Sequence, residues 1–110
     1  MRLMIADTWF ARAGGLLVRP VLKEQELLWL RPCWAIHTFG MRYAIAVFFV
    51  DRDLRVIDLI PKLQPNRMAY NKDACSVVEA RPISEDQRLS TIVQLERVLS
   101  SVGGGCSASV

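Results

Sequence analysis

A chain of 110 residues in which 52% of side chains are hydrophobic and 23% charged has the composition of one folded globular domain, which excludes disordered and collagen-like classes. The length suffices for a single hydrophobic core without metal or disulfide staples. The net charge is +3, and the basic residues interleave with acids from Arg2 to Arg97 without a Lys/Arg block. A nucleic-acid binder gathers its positive charge on a stripe or a helix face, so this pattern reads as a mixed solvated surface and excludes nucleic acid as an expected partner.

The N-terminal Met1-Arg2-Leu3-Met4-Ile5-Ala6 is too short for a secretory h-region and is followed at once by Asp7, so cytoplasm is the expected location. Leu3-Met4-Ile5 predicts a first strand. Asp7 or Thr8 can cap a short helix over residues 9–13, which Gly14-Gly15 ends through the left-handed conformation glycine tolerates. Leu27-Leu28-Trp29-Leu30 predicts a strand broken by Pro32. Residues 33–42 are mixed in character and read as a structured loop.

Residues 43–50 carry the strongest strand signal. They are apolar on both faces, so both faces are expected to be covered, with Val47 and Phe49, or Phe48 and Val50, nearly fully buried. Asp51-Arg52-Asp53 is a turn and residues 54–60 return, which predicts an antiparallel hairpin. Pro61 and Pro65 bracket a loop, residues 66–72 are polar with Met68 and Tyr70 among them, and residues 74–79 form one more strand ended by Arg81-Pro82. Ser84-Glu85-Asp86-Gln87 has the pattern of a capping box. Leu89, Ile92, Val93, Val98 and Leu99 then fall broadly at helical spacing, predicting a helix over residues 85–100. The expected fold is α+β: a compact β-rich domain over residues 1–102, with a small antiparallel or barrel-like sheet, a short N-terminal helix and a C-terminal helix. Residues 103–110, with three consecutive glycines, read as a flexible tail.

Three segments together resemble a known family. They are the stretch from Ala6 through Arg12-Ala13-Gly14-Gly15-Leu16 to Pro20, the stretch Ile36-His37-Thr38-Phe39-Gly40-Met41-Arg42 running through the apolar strand to Asp51, and Ala74-Cys75-Ser76-Val77-Val78-Glu79. This pattern resembles the prokaryotic domain of unknown function 192 family over about residues 3–80. The resemblance implies a compact β-rich fold with short helices and no established biochemical role. The chain departs from the family pattern where Ala44 and Ala46 replace a proline and an aspartate. It departs again where a helix replaces the final short strand after a glycine turn.

The three cysteines, Cys33, Cys75 and Cys106, show no CxxC spacing, and their odd number favours free thiols. Cys33 and His37 stand four apart, but one histidine and scattered cysteines fall short of the three or four ligands a zinc site needs, so no metal or other cofactor is expected. Asp51 and Asp53 suit a turn better than a calcium loop. The glycine pairs lack the spacing of a phosphate loop. The sequence therefore points away from catalysis and towards a ligand-binding or accessory module, taking a small ligand, a glycan or a segment of another protein. The expected binding residues are Arg12, Trp34, His37, Thr38, Met41 and Arg42, which offer aromatic faces, a titratable ring, a hydroxyl and guanidinium groups. The alternatives are an enzyme using His37 with Cys33 or Thr38, and an assembly protein using the C-terminal helix.

Overall fold

The computed structural model describes residues 2–7 and 22–102. The chain forms β1 (Arg2–Asp7), β2 (Glu26–Arg31), β3 (Ala35–His37), β4 (Ile45–Val50), β5 (Val56–Leu63), β6 (Met68–Tyr70) and β7 (Ser76–Ala80), then a 3₁₀ turn (Glu85–Gln87) and helix α1 (Arg88–Val102). Five strands make one sheet in the order β1-β2-β7-β4-β5, and β3 pairs with β6 in a separate two-stranded sheet.

The alternation of side chains along each strand builds three layers. One face of the large sheet carries Leu28 and Leu30 of β2, Ile45, Val47 and Phe49 of β4, and Val77 of β7. These pack with Cys33, Ile36 and Ala69 from the region of the small sheet. The opposite face carries Leu27 and Trp29, Ala46, Phe48 and Val50, Leu59, and Val78 and Ala80, packed under Leu95 and Leu99 of α1. Strand β4 lies between β7 and β5 and all of its residues are buried, as its two-sided apolar pattern requires.

The hairpin of β4 and β5 is antiparallel, with Phe48 opposite Leu59. Its turn uses the Asp51 carboxylate, which accepts from the backbone N–H groups of Asp53 at 2.9 Å and Arg55 at 3.0 Å. Leu54 there holds a φ of 64°, a left-handed conformation sustained by these bonds and by its own N–H donating to the Asp51 carbonyl. The expected loop after residue 60 is corrected: β5 runs on through Pro61 to Leu63. It can do so because β5 is an edge strand, where a missing N–H costs no ladder bond. The start of the helical region is as expected. The Gln87 side chain accepts from the Ser84 backbone N–H at 3.1 Å, and the chain passes through one 3₁₀ turn before α1.

The expected architecture also needs correction. The large sheet is open and mixed rather than antiparallel or barrel-like, since β1 and β5 are its edges and β1 runs parallel to β2. Closure is not required to bury both faces, because the small sheet covers one and α1 the other. Among the described residues no N-terminal helix is present, and α1 is the α-helix. The residues expected to form that N-terminal helix, 9–13, lie outside the described residues, as does the tail at 103–110.

Candidate functional site

The segment singled out in the sequence is not simply a loop. Its middle forms β3, paired antiparallel with β6 in the register Ala35–Tyr70, Ile36–Ala69 and His37–Met68. Alternation then sorts the side chains. Ile36 and Ala69 are buried against the large sheet, while Tyr70 and Met68 point outward. Trp34 is 49%, Phe39 54%, Met68 67% and Tyr70 69% exposed, so four large apolar side chains stand in water around one short two-stranded sheet. The Trp34 and Tyr70 rings meet edge to face, with centroids 6.4 Å apart. His37 stacks on Phe39 with centroids 4.9 Å apart and planes 22° from parallel. Both arrangements suit the quadrupoles of the rings and hold them in place without burial.

Thr38 organises the backbone behind this face. It is fully buried, and its hydroxyl donates to the Gln64 carbonyl at 2.8 Å while accepting from the Arg67 N–H at 2.9 Å. Its own backbone N–H donates to the Arg67 carbonyl, and its carbonyl accepts from the N–H groups of Met41 and Asn66. Gly40 follows with a φ of 79°, a conformation that favours glycine, and its N–H donates to the Asn66 side chain at 3.1 Å. The Asn71 N–H donates to the Trp34 carbonyl at 2.9 Å. The segment that enters β4 is thus tied at several points to the segment that carries β6.

The structure places the sequence-predicted residues as follows. Trp34 and His37 belong to the outer face. Met41 packs against the core beneath it. Arg42 is exposed. Thr38 lies behind the face, fully engaged with backbone groups. Arg12 lies outside the described residues. The neighbouring segments add exposed Arg67 and Lys72 against exposed Asp73, so cations outnumber acids there. Met68 and Tyr70 were absent from the expected site. A three-residue strand is too short for its alternation to stand out, and only its pairing with β3 brings these side chains beside Trp34 and His37.

Cys33 and His37 are held in different environments. Cys33 is buried in the core and its thiol donates to the Ala35 carbonyl at 3.1 Å. His37 is half-buried, and its Nδ1 accepts from the Phe39 N–H at 3.3 Å. Among the described residues no three His, Cys, Asp or Glu side chains gather to hold a metal ion. No helix of the described residues is long and apolar enough to cross a membrane. What the outer face offers chemically is aromatic surface, a thioether, a ring N–H and flanking positive charge.

The chain is similar in structure to a crystal structure of a protein of unknown function from Novosphingobium aromaticivorans, with a TM-score of 0.63 and 18% sequence identity, covering 82% of this chain and 68% of that one. That likeness is one of fold. No curated protein matches the chain. The model of the DUF192 family, described as "Uncharacterized ACR", matches residues 1–93. With the "IHTFGMR" segment shaping the small sheet and Val77-Val78-Glu79 lying in the buried strand β7, this chain belongs to the DUF192 family.

Proposed function

We propose that this protein is a non-enzymatic binding module that recognises an acidic segment of another protein on the outer face of β3 and β6. The observation that carries the reading is the exposure of Trp34, Phe39, Met68 and Tyr70 around one small sheet. Isolated exposed apolar residues are ordinary, but a cluster of aromatic and methionine side chains marks an interaction surface. The backbone beneath is fixed by the Thr38 and Asn66 hydrogen bonds, so little ordering is required when a partner docks. Arg42, Arg67 and Lys72 around it favour acidic over basic segments.

The experiment is a titration of isotope-labelled protein with a panel of short peptides that alternate Asp or Glu with Leu or Phe, followed by amide chemical shifts. The expected outcome is saturable shifts concentrated at residues 34–42 and 66–72, with peptides carrying Lys in place of the acids binding at least about tenfold more weakly. Shifts spread over α1 instead would point to the helix as the interface and overturn this reading.

A further inference from the structure

Among the described residues, a cleft of about 420 Å³ opens where the start of β4, the end of β5 and the end of β7 come together. Its walls are largely apolar and include Leu22, Ala44, Ile45 and Pro82, and its polar lining comes from Tyr43, Lys62 and Arg81. Lys62 and Arg81 are both exposed, and neither enters an ion pair among the described residues. Glu79, the acid next to this end of β7, is buried in the core and is not part of the lining.

Two cations lining one opening, neither ion-paired among the described residues, raise the local potential, and an anion placed between them relieves this. The volume lies within the roughly 300–1,000 Å³ of small-molecule sites, which pair mostly apolar walls with a few polar groups. An inorganic anion would gain nothing from the apolar walls, and a neutral hydrocarbon nothing from the cations. We infer that the cleft binds a small amphipathic organic anion. Its carboxylate lies against Lys62 and Arg81, and its apolar body against Leu22, Ala44, Ile45 and Pro82. This site shares no residue with the outer face of β3 and β6 and stands independently of the function proposed for that face.

The test is an amide chemical-shift titration of the full chain with hexanoate, and with 1-hexanol and inorganic phosphate as comparisons. Hexanoate is expected to shift the signals of Tyr43, Ile45, Lys62 and Arg81 to saturation, with the alcohol and phosphate at least about tenfold weaker. The double substitution Lys62→Gln with Arg81→Gln, at two exposed positions, is expected to weaken hexanoate at least about tenfold while leaving the unfolding transition in place. Hexanoate that leaves these signals unmoved, hexanol that binds as well as hexanoate, or unchanged affinity in the double variant would each overturn the inference. Should the double variant fold poorly, the hexanoate–hexanol comparison on the unmodified chain still decides it.

Discussion

Thr38 shows how a single side chain can be required by a surface it does not belong to. Its hydroxyl joins the segment entering β4 to the segment leading into β6, through the Gln64 carbonyl and the Arg67 N–H. Valine keeps the shape and removes the hydroxyl, leaving the Gln64 carbonyl and the Arg67 N–H without this partner from the buried Thr38. Thr38→Val is therefore expected to destabilise the protein by about 1–3 kcal/mol, measured by urea denaturation. A change of only a few tenths would show that water or the backbone replaces the hydroxyl. In the sequence, Thr38 and His37 were equally plausible polar members of a site. Nothing in residue type distinguishes a hydroxyl that holds backbone from one that meets a ligand. The difference lies in burial and in partners more than twenty-five residues away along the chain. The burial of Phe48, by contrast, was legible, because an apolar run with both parities filled leaves no solvent-facing side.

Among the elements, α1 and β4 depend on each other. Ala46 is fully buried in the cluster that Leu95 and Leu99 of α1 close, opposite Ala80 in the sheet register. The helix is also tied to the hairpin, where Glu96 accepts from the Val56 N–H at 2.8 Å and lies 3.6 Å from the Arg55 guanidinium. The Arg88 guanidinium reaches the Leu59 carbonyl at 3.4 Å. Two of the three departures named from the resemblance thus meet in space: Ala46, where the resemblance implies an aspartate, and the helix over the face that Ala46 occupies. Restoring the carboxylate would place an unpaired charge under the helix. Ala46→Asp is expected to destabilise the fold by about 3–5 kcal/mol and to expose apolar surface, read as a lowered denaturation midpoint and increased dye binding. A variant as stable as the parent would show that this face is less closely covered than Leu95 and Leu99 indicate. The existence of both elements could be read from sequence, since each has a strong local signature. β3 and β6 could not, because strands of three residues carry no periodicity and exist through their pairing.

At the scale of the whole molecule, the open mixed sheet explains why local reading of strands did not yield the architecture. The pairing of β1 with β2 is parallel, and a parallel neighbour requires a long crossover rather than a tight turn. Runs of apolar residues give strands but not their direction, so an antiparallel or closed sheet was the natural expectation. The layers on either side remove the need for closure. They also divide the side chains: α1 and the inner residues of the small sheet complete the core, while Met68 and Tyr70 on the outer side of the small sheet stay exposed, where the proposed function has a partner dock. That division is the central claim, and it is tested most directly by the paired substitution Trp34→Ala with Tyr70→Ala, measured for thermal unfolding and for acidic-peptide binding on the same preparation. Both side chains are largely exposed, so the unfolding midpoint is expected to stay close to that of the parent while peptide affinity falls at least about tenfold. Retained affinity, or collapse of the fold together with binding, would contradict the separation of a recognition face from the core.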